Sequence, residues 1–127
     1  MTSEADRIRD LIPFVHVGDL DRSVSFYEKL GFKVTDTHEH EGERDWVALE
    51  SGTARLMLAR ASAPIGPRQQ AVFFYLYSHD LHALRDRLLA EGLGPKEIRD
   101  GSPGPRQEMG IADPDGYCLM IAQIDEE

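Results

Sequence analysis

The sequence predicts an α+β fold in which one βαβββ unit is used twice, and three observations carry that reading. Asp19-Leu20 is matched by Asp80-Leu81, and Gly31 follows Asp19 at the same spacing as Gly92 follows Asp80. Leu56-Met57-Leu58-Ala59 is answered by Leu119-Met120-Ile121-Ala122. Short apolar runs punctuated by Gly, Pro and Asp fall in the same order in both halves. A duplicated unit creates a pseudo-twofold seam, and such seams are common places for small molecules to bind.

Each element has a local reason. Residues 12–17 form an apolar run ending at Gly18, which reads as a strand. Asp19 is suited to cap a helix over residues 20–30, where Val24, Tyr27 and Leu30 recur at helical spacing with Ser23 and Phe26 beside them. Gly31 stops it. Residues 32–38, 45–50 and 54–60 read as three strands, with a solvated turn over 38–43 and a hinge at Ser51-Gly52. The Pro/Gly-bearing stretch 61–70 reads as a linker.

The second half repeats the order. Residues 71–77 are a strand, Asp80 a cap, and 81–91 a helix with Leu81, Leu84 and Leu88 on one face. Residues 96–100 and 107–112 read as short strands, and Asp113-Pro114-Asp115-Gly116 as a tight turn before a last strand over 117–124. The expected domain layout is a leader over 1–10, a first module over 11–60, the linker, a second module over 71–124 and an acidic tail over 125–127.

Alternation along the strands sorts their residues onto two faces. Val15, Val17, Leu56, Leu58, Phe74, Leu76, Leu119 and Ile121 make an aliphatic set expected under the helices. The opposite set contains Ile12, Phe14, His16, Arg55, Met57, Ala59, Phe73, Tyr75, Tyr77, Cys118, Met120 and Ala122. It is aromatic, sulfur-bearing and partly polar, which suits the wall of a semi-apolar cup. A second core layer or a dimer interface is the plainer reading of the same pattern.

Bulk properties bound the function. With 127 residues the chain is one domain, or two small modules sharing a core. Its formal charge of −9 disfavours nucleic acid and anionic membranes as partners, and favours neutral or cationic ones. A single cysteine, Cys118, excludes an internal disulfide, and a reducing cytoplasm is the expected home. No apolar run approaches membrane-spanning length, and residues 1–10 have no apolar signal segment.

Few residues suggest catalysis. His16 is the histidine placed within a strand on the cup face, suited to donate a hydrogen bond or act as a base, or to sit half exposed at a strand end. His38 and His40 share a face but lack a third ligand at a telling spacing, so they read as a hairpin tip; His79 and His82 read as surface residues. Cys118 has no evident base and reads as a small buried hydrophobe. Glu50 and Glu108 are the carboxylates on or beside inner strands. There is no Gly-rich phosphate loop, nucleophile elbow or Cys-x-x-Cys pair.

The run from Val17 to Phe32, Val-Gly-Asp-Leu-Asp-Arg-Ser-Val-Ser-Phe-Tyr-Glu-Lys-Leu-Gly-Phe, resembles the opening of the vicinal-oxygen-chelate superfamily. That superfamily contains glyoxalase I, extradiol dioxygenases and the bleomycin resistance proteins. Asp113-Pro114-Asp115-Gly116-Tyr117 resembles its signature turn before the last strand. The resemblance implies paired βαβββ modules whose mixed sheets curl into a cup, joined as a homodimer. The family's metal-ligand positions fall on Ile12, Met57, Phe73 and Met120, where its metal enzymes need His, Glu or Gln. Hydrocarbons and thioethers do not bind hard or borderline divalent ions, so no metal and no other cofactor is expected.

The resemblance is therefore strongest to the metal-free, bleomycin resistance-like branch. It implies sequestration of an aromatic or cationic compound, with Phe14, Trp46, Phe73, Tyr75 and Tyr77 as stacking surfaces and Met57 and Met120 as adaptable wall. His16 and Arg55 are the expected polar anchors. The alternative is an enzyme of the same superfamily (lyase, isomerase or dioxygenase) with a relocated or absent metal and His16, Glu50 or Glu108 as base. A filled cup serving only assembly or regulation is a third.

Overall fold

The computed structural model describes residues 10–63, 73–100 and 107–124, the side chain of Phe73 excepted. The expected tail lies outside that description, as do most of the expected leader and linker and the first residues of the second module. The chain runs β1 (Phe14–Val17), α1 (Leu20–Lys29), β2 (Lys33–His40), β3 (Glu43–Ser51) and β4 (Ala54–Arg60). It continues as β5 (Phe73–Ser78), α2 (Leu81–Ala90), β6 (Glu108–Ala112) and β7 (Cys118–Gln123).

Both helices start where a carboxylate can cap them. Asp19 accepts from the Arg22 backbone N–H and Asp80 from that of Ala83, each at 3.0 Å. Gly31 and Gly92 follow with positive φ, which closes the helix ends without a Cβ clash. The buried face of α1 is Leu20, Ser23, Val24, Phe26 and Tyr27. In α2, Leu81 and Leu88 are buried and Leu84 packs at their margin.

The strands form two mixed sheets, ordered β1-β4-β3-β2 and β5-β7-β6, that share no ladder. In each, the first strand runs parallel to the last and the remaining pairs are antiparallel. The aliphatic face lies inward as the alternation requires. Val15, Val17, Leu56, Leu58, Leu119 and Ile121 are buried together with helix residues from both halves in one core cluster. Phe74 and Leu76 are partly buried against it.

Several boundaries differ from expectation. The strand expected from residue 12 begins at Phe14, because Pro13 has no N–H to give; its carbonyl still accepts from Met57 N at 2.9 Å. The solvated turn expected over 38–43 shrinks to Glu41-Gly42, since both take positive φ (53° and 83°) and turn the chain in two residues. His38 and His40 are thus strand residues on an exposed edge. The strand expected over 96–100 is reduced to backbone bonds from Lys96 N to Gly110 O and between Arg99 and Glu108. Ile98 alone is apolar there, too little to bury a strand face. Cys118, expected to be buried, is exposed, because it stands on the sheet face that neither helix covers.

A polar clasp joins the halves. The β6–β7 turn directs two buried carboxylates at the start of the first module. Asp115 accepts from Gly18 N at 3.0 Å and from the Ser23 hydroxyl at 3.3 Å. Asp113 accepts from the Tyr27 hydroxyl at 2.8 Å, and Tyr117 donates to the His16 carbonyl at 3.0 Å.

Candidate functional site

The faces turned away from the helices carry the residues singled out in the sequence, in two groups. On the first sheet, Phe14 is in register with Met57, and His16 and Trp46 each with Ala59. The rings of Phe14 and His16 are 5.5 Å apart, and Phe14 is 53% exposed in spite of its size. Ala48 faces Met57 from β3 and leaves the floor low between the two aromatic ends. At one margin Arg55 and Glu50 are cross-strand partners with an ion pair of 3.1 Å. Arg55, expected as a polar anchor, is thus paired with a neighbour.

On the second sheet the open face carries Tyr75, Tyr77, Cys118 and Met120 with the small residues Gly110, Ala112 and Ala122. Phe73 belongs to the same ladder, opposite Cys118. The Tyr75 and Tyr77 rings meet edge to face at 5.4 Å, and Tyr77 is 60% exposed. The Tyr75 hydroxyl donates to Oε2 of Glu108. Beside β6 a cavity of about 440 Å³ is walled by Glu108, Gly110, Cys118, Met120 and the segment around Lys96 and Arg99. A wider groove of about 910 Å³ separates the β3–β4 turn from β5 and α2.

The nine expected ligand-binding residues are thus shared between the two sheets. Phe14, His16, Trp46, Arg55 and Met57 share one sheet; Phe73, Tyr75, Tyr77 and Met120 share the other. His38, by contrast, bonds Asp45 at 2.7 Å, which holds the Asp45 carboxyl below its usual range. His79 and His82 are exposed. The sequence reading missed the clasp. Asp113 and Asp115 were legible as turn formers, but nothing local announces that their carboxylates face the other module. Burial raises the Asp113 pKa against the hydrogen bonds it accepts, and burial with the Asp113 charge raises that of Tyr27.

A duplicated α+β domain with two aromatic sheet faces turned away from its helices defines a class of small binding and catalytic folds. Residues 10–121 match the Glyoxalase/Bleomycin resistance protein/Dioxygenase superfamily, and the chain belongs to it. Among solved structures it is similar to a bleomycin resistance determinant encoded on the transposon Tn5 (TM-score 0.76, 19% identity, 94% of this chain and 100% of that one). It is also similar to a bleomycin-binding protein complexed with bleomycin (TM-score 0.75, 19% identity, 93% and 100%). A third likeness is to TnmS3, an antibiotic-binding protein from Streptomyces sp. CB03234 (TM-score 0.72, 20% identity, 94% and 98%). At such identities the likeness establishes the fold. No curated protein matches the chain.

The superfamily's metal enzymes invite a test of fit. Met57 and Met120 project thioethers from the open faces, and Ile12 is a hydrocarbon ahead of β1. With Phe73 as the fourth residue, this donor set does not fit a hard or borderline divalent ion. Among the described residues no three His, Cys, Asp or Glu side chains gather as a metal site.

Proposed function

We propose that the protein binds and sequesters a small aromatic or cationic molecule, without a metal and without transforming it. The observation that carries this reading is the pair of sheet faces turned away from the helices, where Phe14 and Tyr77 stand exposed and the superfamily's ligand positions hold no hard donor. Such surfaces gain by covering a flat guest, and Tyr and Trp ring faces attract cations. The −9 charge draws the same class of guest from a distance. The known bleomycin-binding relative of this fold supports the choice of guest. A homodimer fits the division of the site into two faces, because each group is half of a cup, and a cytoplasmic setting fits the single thiol.

Saturable quenching of Trp46 emission by bleomycin, or by a member of a panel of polycyclic cations, is the expected result. A panel in which no compound quenches Trp46 or raises the melting temperature refutes the proposal. In sedimentation the protein should run at twice its chain mass.

A further inference from the structure

We infer that the groove between the β3–β4 turn and α2 is a second binding site, which takes a neutral hydroxylated aromatic compound. It lies on the seam between the modules and does not rest on the binding reading of the sheet faces.

The repeat itself shows what this seam is built to hold. Matching Asp19 to Asp80 pairs His16, Gly18 and Ser23 with Tyr77, His79 and Leu84. Matching Leu56 to Leu119 pairs Gly52 and Ala54 with Asp115 and Tyr117. At one end of the seam these positions make the clasp: Asp115 accepts from Gly18 and Ser23, and the Tyr117 hydroxyl donates to the His16 carbonyl. At the other end the corresponding residues Gly52, Ala54, Tyr77, His79 and Leu84 all line the 910 Å³ groove. The groove is thus the counterpart of the clasp and continues the same interface between the modules. Where the clasp has a carboxylate and a phenol, the groove has a hydrogen and a methyl group. Its volume falls in the range of small-molecule sites, about 300–1,000 Å³.

The same comparison supplies the chemistry. The Val17 carbonyl accepts from Ala61 N, and its counterpart on Ser78 accepts from Ile124 N, both at 2.8 Å. Successive carbonyls of a strand point to opposite sides, so those of His16 and Tyr77 turn away from their ladders. The His16 carbonyl receives the Tyr117 hydroxyl at 3.0 Å. The Tyr77 carbonyl is on the edge of β5 that faces the groove, and a guest hydroxyl would meet it in the same way. An edge carbonyl takes its donor from outside its own sheet. Leu84 in place of Ser23, with Leu30, Phe32, Leu76 and Ile121, gives a ring an apolar bed. The polar groups at the start of α2 are served within the chain. Gln123 accepts from Leu81 N at 2.8 Å and donates to the His79 carbonyl at 2.7 Å. Of the charged side chains on the wall, Asp80 caps Ala83, and Arg87 bonds the Lys29 carbonyl and pairs with Glu91. The site therefore asks for a ring and a hydroxyl, not for a charge.

The test titrates naphthol and its methyl ether against the whole protein by calorimetry. Wild type should bind naphthol about fivefold more tightly than the ether, which cannot donate. Ala54→Tyr restores the phenol that the clasp carries, and should weaken naphthol binding by about tenfold or more. Ala83→Trp fills the groove from an exposed position on α2 and should do the same, which decides the matter if Ala54→Tyr does not fold. Wild type that takes up no naphthol, or takes up naphthol and ether equally, overturns the inference. So does a folded variant of either kind that keeps wild-type affinity. Neither position belongs to the sheet faces turned away from the helices, so the binding reading is tested apart. Its failure, with no quenching of Trp46 by any compound, leaves the naphthol result as it is.

Discussion

Asp113 is the residue whose chemistry is most constrained. Its Oδ1 accepts the backbone N–H groups of Asp115 and Tyr117, both at 2.9 Å, while Oδ2 accepts from Tyr27. Burial nevertheless raises its pKa, so the neutral form is favoured in the folded state relative to the unfolded one. A group raised in this way contributes stability that is complete below its unfolded pKa, near 4, and is lost as pH rises through its folded pKa. Asp113→Asn should therefore flatten the decline in urea-unfolding free energy from about pH 4 upward. Tyr27→Phe keeps the ring but removes the donor, and should cost about 1–3 kcal/mol in the same assay. The sequence made the turn legible through Pro114 and Gly116, since those residues favour turns wherever they occur. It left the clasp hidden, because a contact between residues so far apart in the chain depends on the packing of α1 against the second half. Cys118 was misread for a similar reason. Its strand neighbours are apolar, but burial depends on which face a helix covers.

At the scale of elements, the β2–β3 hairpin is the clearest case of turn chemistry setting strand length. Glu41 holds a positive φ that a side chain disfavours, whereas Gly42 adopts its own without strain. Glu41→Gly should be neutral or stabilising by about 0.5 kcal/mol, and Gly42→Ala should destabilise by about 1 kcal/mol. No atom lies within 4 Å of a Cβ placed on Gly42, so the backbone alone causes the second effect. Thermal unfolding of the two variants checks both. The charged composition of 38–43 concealed this turn, since solvated strand ends and loops look alike in sequence. β2 itself is an edge strand, and it carries two register irregularities and an exposed, charged surface. Both features discourage pairing with strangers. The helices were legible almost to the residue, because caps and terminal glycines act locally.

The whole molecule has one core to which both halves contribute, although its sheets are separate. Leu58, fully buried on β4, should cost about 2–5 kcal/mol when truncated to Ala. The loss should lower a single unfolding transition, not split it, as followed by circular dichroism. The donor set at Ile12, Met57, Phe73 and Met120 leads to an equally general expectation. Exhaustive dialysis against a chelator should leave the melting temperature and the quenching of Trp46 by bleomycin or a polycyclic cation unchanged, and elemental analysis checks that no divalent ion was retained. The duplicated plan and the inward aliphatic face were legible because period-two alternation and helix capping are sequence properties. The division of the aromatic residues between two faces was not, since alternation assigns a side to each strand but not a sheet to each module.

The exposed sulfur at position 118 has a practical consequence. Since the chain has no second cysteine, one maleimide fluorophore would attach at a single defined point beside Met120. Its emission would then follow entry and departure of a guest in real time, for compounds whose own absorbance obscures the tryptophan.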